Sequence, residues 1–198
     1  SVQAEKMSDG VTNACAGGTI TPERLLVKDF TLLPDENRAT TRLTGAADVT
    51  LGTNMAFKAV LSGGLVTLQP GTATRHADLV RVVRSLPPLP HLGMPGQVSI
   101  DVTSLGLGDV ALSNLRADLV ADAAGWTLKT LEAVLPGSTT LALSGRLDQS
   151  STGDGLSGRI SLKSDRLDLF SALWKPVAAN TPLFNVGGGL DADLTLVG

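Results

Sequence analysis

The groups in this chain that could do chemistry are few and scattered. Gly106-Leu107-Gly108-Asp109-Val110-Ala111 has the Gly-x-Gly-x-x-Ala spacing of a dinucleotide-binding turn. That chemistry needs a strand before the glycines and a helix after them, so that the helix N-terminus meets the pyrophosphate. The residues after the glycines, Ala111 to Ala121, instead alternate like a strand, which favours a tight turn. Gly187-Gly188-Gly189 lacks the Lys-Ser or Lys-Thr ending of a phosphate-binding loop and runs into another alternating stretch, the pattern of a turn or bulge. Metal binding requires several convergent ligands, and the only histidines are His76, at a predicted helix start, and His91, in a Pro-rich connection. Asp191 and Asp193 share one strand face but lack the rest of a calcium loop, so they read as a solvated face. Ser62 and Ser157 each precede a glycine, yet neither lies in a Gly-x-Ser-x-Gly elbow with a His and an acid behind it. No catalytic, metal or cofactor-binding residue is nominated, and the expected function is binding, lipid handling or scaffolding rather than catalysis.

Composition narrows the classes further. Of 198 residues, 42% are hydrophobic but only 3% aromatic, with no Tyr, so Leu, Val and Ala must build the core. The net charge of -3 comes from interspersed signs with no Lys or Arg run, which argues against nucleic acid as a partner. The single cysteine, Cys15, rules out an internal disulfide framework. Ala14 and Ala16 beside it outline a lipid-attachment site, but no apolar signal run precedes them, and a structural cysteine is the simpler reading. No stretch reaches the roughly 18 to 20 apolar residues of a membrane helix. The chain starts at Ser1 and is expected to be a processed or excised segment.

The elements that must position these groups are mainly strands. Val98, Ile100 and Val102 alternate with Ser99, Asp101 and Thr103, as a half-buried strand demands. The same pattern covers Leu25 to Leu33, Thr41 to Leu51, Met55 to Leu61, Leu65 to Leu68 and Ala111 to Ala121. It recurs over Thr127 to Val134, Thr139 to Leu147, Leu156 to Leu162 and Leu190 to Val197. Asp154-Gly155, in the polar stretch Asp148 to Gly155, predicts a hairpin turn, and consecutive strands are expected to run antiparallel. Two segments carry helical spacing. In residues 75–86 it is set by Leu79, Val82, Val83 and Leu86 before Pro87-Pro88, and in 165–174 by Leu169, Phe170, Leu173 and Trp174 before Pro176. Both amphipathic faces are expected to pack on the sheet rather than on a membrane.

The pattern repeats after about a hundred residues. Leu33-Pro34 corresponds to Leu135-Pro136, and Leu43-Thr44-Gly45 to Leu143-Ser144-Gly145. Leu61-Ser62-Gly63-Gly64-Leu65 matches Leu156-Ser157-Gly158-Arg159-Ile160, and each copy continues into a predicted helix, a Pro-containing connection and a further strand. Divergent copies of one strand-rich unit suggest side-by-side stacking in a continuous sheet with open edges.

From Val98 to Trp174 the order of pieces resembles the AsmA family of bacterial cell-envelope proteins. The resemblance rests on Val98-Ser99-Ile100-Asp101-Val102 with Leu105 and Leu107, Leu112-Ser113-Asn114-Leu115-Arg116-Ala117, Gly125-Trp126-Thr127-Leu128, and Leu135-Pro136-Gly137. It continues through Leu143-Ser144-Gly145-Arg146-Leu147 and Gly158-Arg159-Ile160-Ser161-Leu162, before Leu167 to Trp174. The internal repeat extends it more weakly over Leu25 to Leu105. It implies a periplasmic segment, anchored in the full protein to the inner membrane by a helix this segment lacks. It also implies a relation to β-groove proteins that move phospholipid between membranes, and a part in outer-membrane assembly or maintenance.

The expected architecture is therefore a mainly β, curved antiparallel sheet, an open groove or half-barrel, built from two divergent repeats with one short helix each. Its parts are an irregular N-terminal lead (1–18), a first repeat (19–105) and a second (106–198), in one continuous domain. A phospholipid or other acyl-chain ligand would lie along aliphatic residues such as Val98, Ile100, Val102, Leu128 and Leu141. Adjoining parts of the same longer protein and other envelope proteins are the remaining candidate partners. The alternative is a structural or protein-interaction module whose β core is filled and holds no lipid.

Overall fold

The computed structural model describes residues 2–8, 13–33, 42–68, 89, 92–107, 110–150, 153–166 and 189–196. They form one open sheet of strands β1 (Val2–Ser8), β2 (Asn13–Ile20), β3 (Arg24–Leu33), β4 (Leu43–Thr50), β5 (Ala56–Leu68) and β6 (Gly96–Leu107). The sheet continues through β7 (Val110–Asp122), β8 (Gly125–Leu135), β9 (Thr139–Ser150), β10 (Gly153–Ser164) and β11 (Leu190–Leu196). The strands lie side by side in sequence order. Such nearest-neighbour topology arises from short connections between strands that each hide one apolar face.

One pairing departs from the expected antiparallel sheet. β5 and β6 run parallel, from Phe57 opposite Gly96 to Leu68 opposite Leu107. A parallel pair needs a crossover of a dozen or more residues, and residues 69–95 supply that length. The connection ends over the apolar side of the sheet, because Leu89 packs there against the buried cluster of Ala117, Leu119, Ala121, Trp126 and Leu128.

Three further expectations are corrected. The lead at 1–18 is not irregular: β1 and β2 occupy most of it and pair antiparallel. Its small residues Ala14, Ala16, Gly17 and Gly18 mute the hydrophobic alternation without weakening the backbone ladder. Leu61 and Leu65 belong to one strand, β5, which runs through Gly63-Gly64. There the alternation slips, leaving Leu65 49% exposed and Val66 3% exposed. Asp154-Gly155 is not a turn, since those residues face Gln149 and Asp148 inside the β9–β10 ladder, where backbone bonds do not depend on side-chain polarity. The helix expected at 75–86 lies outside the described residues. Of the one at 165–174 only Asp165 and Arg166 fall within them, and neither is helical.

Bulges set the bend of the strands. The register shifts on both sides of Lys28–Asp29 in β3 and on both sides of Lys129–Thr130 in β8, one extra residue each time. A third sits in β7, where Asn114 adopts φ 52°, a left-handed conformation Asn tolerates better than most residues.

The sides of the sheet differ in chemistry. On the polar side Ser62, Asp101, Arg116, Glu132 and Ser161 fall in one row across the strands, with Ala142 between the last two. Asp101 pairs with Arg116 at 3.4 Å, and Ser99 donates to Asp118 at 2.6 Å. At the β3–β4 pair, Arg24 Nε donates to Asp48 Oδ1 at 2.7 Å while its Nη2 engages Oδ2. The guanidinium's hydrogen bonds hold the Asp48 carboxyl below the usual carboxylate range. Both partners are solvent-exposed, so the pair weighs little in stability. What it does contribute is present above the ordinary Asp pKa and is lost as pH falls through the depressed one. Arg24→Ala should raise the Asp48 titration, followed by carboxyl NMR, back into the ordinary aspartate range; an unchanged midpoint would show that the guanidinium is not its cause.

Candidate functional site

The apolar side carries the feature with most functional content. Cross-strand partners point to the same face, so the register can be read as rows. Leu61, Ile100, Ala117, Leu131, Leu143 and Ile160 make one unbroken aliphatic row from β5 to β10. On the other side of β5 the row continues through Gly45 to Phe30. Except for Ala117, its members are half-buried, as is Leu141 in the row beside it. Period-two alternation makes this face: Ile100, Ala117, Leu131 and Ile160 are each flanked by polar neighbours directed to the other side, whereas Leu61 and Leu143 have one apolar neighbour each, Val60 and Ala142.

The face is filled at both strand ends. At one, Phe57 and Trp126 meet edge to face, with ring centroids 6.0 Å apart and planes at 61°. The Phe57 ring covers Gly96 so closely that a Cβ there would lie 2.1 Å from it. At the other end Val66, Leu112 and Leu135 are buried, and beside them Thr139 and Ser164 are sealed from solvent. The two hydroxyls satisfy each other at 2.7 Å, and Thr139 also donates to the Pro136 carbonyl at 3.1 Å. Buried hydroxyls paired in this way carry no desolvation penalty that a ligand would relieve.

The expected lining divides accordingly. Val98, Ile100, Val102, Leu128 and Leu141 all lie on the apolar face. Val102 and Leu128 are core, at 3% and 5% exposure. Val98, Ile100 and Leu141 are half-buried, with surface left to contact a ligand. Sequence reasoning did not assign Leu61, Leu131, Leu143 and Ile160 to the lining, although Leu61, Leu143 and Ile160 stand in the internal repeat. It also missed the Phe57–Trp126 contact, which depends on long-range register.

The remaining chemical candidates stay apart. Gly106 and Leu107 end β6, and the chain turns into β7 rather than a helix, so the nucleotide-binding geometry is absent. Ser62 lies on the polar face within 3.3 Å of the Thr44 hydroxyl, and Ser157 is half-buried on the same side. Asp191 and Asp193 are exposed on the polar side of β11. His76 and His91 lie outside the described residues, among which no cluster of metal-ligating side chains occurs. Cys15 faces Thr31 in the β2–β3 ladder. No family model, curated protein or solved structure matches this chain. The functional reading therefore rests on the sheet itself. Among the described residues no helix is long and apolar enough to cross a membrane.

Proposed function

We propose that the apolar face holds the acyl chains of a phospholipid, and that this chain is a periplasmic segment of an AsmA-like protein serving outer-membrane assembly or maintenance. In the full protein an inner-membrane helix would anchor it. The observation that carries the reading is the charge-free row from Leu61 to Ile160, half-buried except at Ala117 and backed by a polar outer face. Water against such a surface is costly, at roughly 25 cal/mol per Å² of apolar area, and a hydrocarbon chain relieves the cost while its head group stays in solvent. With strands ~4.8 Å apart, the face from β2 to β11 extends for roughly 40 Å. An acyl chain spans about half of a ~30 Å hydrocarbon core, so length does not limit occupancy.

The finer architecture belongs to the same proposal: a curved groove made of two divergent repeats, each with one helix. Its support is that the bulges at Lys28–Asp29 and Lys129–Thr130 occupy corresponding places in β3 and β8. Gly45 and Gly145 also correspond, and a Cβ on either would strike a carbonyl of the following strand, that of Val60 or of Ser157. Glycines and bulges on one face let a sheet curl towards it.

The filled ends favour a second reading, a structural or protein-interaction module with no lipid. Native mass spectrometry of the purified chain, with identification of co-purifying lipid, separates the two. Bound phospholipid at near one-to-one stoichiometry is the expected result, and Ile100→Glu, which sets a charge in the half-buried row, should reduce the loaded fraction at least about tenfold. An apo mass that takes up no offered phospholipid would leave the interaction module standing.

A further inference from the structure

Three connections at one end of the sheet are tied into a single rim. The β2–β3 turn is closed by Thr21 N, which donates to the Arg24 carbonyl at 2.8 Å, and by Arg24 N, which donates to Thr21 Oγ1 at 3.0 Å. Leu51 N donates to the Glu23 carbonyl at 2.8 Å and so joins the β4–β5 turn to the first. Phe57 N donates to the Pro95 carbonyl at 3.1 Å and joins it to the residues that lead into β6.

The side chains this rim presents are apolar. Among the described residues six large apolar side chains are exposed, and three of them stand here: Ile20 at 60%, Met55 at 47% and Leu92 at 40%. The described turn at the opposite end, 136–138, exposes only Ser138. Residues 49–57 and 92–100 hold no charged side chain, and of the two charges at the β2–β3 turn, Glu23 and Arg24, the second is bound to Asp48. The rim is also continuous with the apolar face. Ile20 faces Leu25, Leu25 faces Val49 and Val49 faces Phe57, so the four make the last row of that face before the turns. Leu25 and Val49 are half-buried, which leaves apolar surface on the β3–β4 flank, beside the Phe57–Trp126 contact.

We propose that this rim docks on a lipid surface, with Ile20, Met55 and Leu92 entering the hydrocarbon boundary while Thr21, Thr53 and Asn54 stay at the level of the head groups. The choice of a lipid surface over a protein rests on the acyl-chain reading of the adjoining face and on the rim itself. A stable protein interface buries about 800 Å² on each partner, which side chains standing singly on turns do not offer, whereas a fluid bilayer closes round each of them. The scarcity of Lys and Arg on the rim suits zwitterionic lipid, since anionic lipid is drawn by clustered cations. Docked in this way, the row from Ile20 to Phe57 would lie against the bilayer, and an acyl chain could pass to the apolar face with little of it crossing water.

Flotation of the purified chain with phosphatidylcholine vesicles tests the docking. The unaltered chain should float, and Ile20→Asp/Met55→Asp/Leu92→Asp should partition at least about tenfold more weakly, because each carboxylate would have to leave water. Ile20→Ser/Met55→Ser/Leu92→Ser, which removes apolar area without adding charge, should weaken binding in the same direction. Val60→Asp/Leu65→Asp charges two apolar residues of β5 away from the rim, 46% and 49% exposed, and should float like the unaltered chain. Circular dichroism checks that each variant keeps its sheet. No flotation of the unaltered chain, equal loss in the rim and β5 variants, undiminished flotation of the rim variants, or self-association through the rim in the absence of vesicles would each overturn the inference. Native mass spectrometry of the same samples separates docking from cargo. Phospholipid held by a chain that does not float overturns the docking alone, and rim-dependent flotation of a chain free of phospholipid supports the docking and counts against the acyl-chain reading.

Discussion

Trp126→Ala should lower the unfolding free energy by about 3–5 kcal/mol, the range for emptying a buried indole site. Trp126 is 4% exposed and belongs to the cluster of Ala117, Leu119, Ala121 and Leu128. Ala121 stands directly opposite in β7 and Gly96 beyond it in β6, leaving room for the ring to reach Phe57 in β5. Truncation removes the indole's dispersion contacts and its edge-to-face partner, and the alanine opposite is too short to fill the space. Trp126→Phe should recover a large part of the loss, because an aromatic face is kept. Urea unfolding followed by circular dichroism measures both variants, and a loss below about 1 kcal/mol in the alanine variant would mean that the site collapses or is wet.

The second large effect is expected at Gly158, which faces Gly145 across the β9–β10 ladder. A Cβ on Gly158 would come within 2.1 Å of the Ser144 carbonyl oxygen and 2.6 Å of the Gly145 Cα. A side chain can rotate away from a clash, but a ladder carbonyl cannot. Gly158→Val must therefore part the two strands, at a cost of about 3 kcal/mol or more, the upper end of overpacking penalties. Gly64 is the matched control, with nothing within 4 Å of its ideal Cβ. Gly64→Ala should be neutral or slightly stabilising, because alanine restricts the unfolded chain and meets no obstacle in the folded one. Equal loss in both variants would show that glycine acts through strand entropy rather than close approach.

Much of the fold was legible because a period of two is a strong local signal. Val98 to Val102 and Leu156 to Leu162 fall inside β6 and β10 as read. The parallel β5–β6 pair was not legible, since alternation fixes which face a residue takes but not the direction of its neighbour. Gly63-Gly64 reads as a break because glycine marks turns, whereas here it lets one strand change the face of its apolar residues. The apolar face could be predicted as a set. Its division between Val102, which is core, and Ile100, which keeps exposed surface, depends on what covers each row, and no local pattern encodes that.

The parallel pairing of β5 with β6 also bears on how the chain reaches this state. Every antiparallel ladder here joins strands that are consecutive along the chain through a short reversal, save β10 with β11, which are joined through residues 165–189. Hairpins closed by short turns form within microseconds, so β1 to β5 and β6 to β10 are two ribbons that can zip independently. Joining them requires bringing together strands separated by residues 69–95, an entropic cost that grows only slowly with length but must be met before any β5–β6 bond repays it. The rate at which the two ribbons dock thus sets the folding time of the whole sheet, and until they dock each exposes a raw edge on which another chain could be captured.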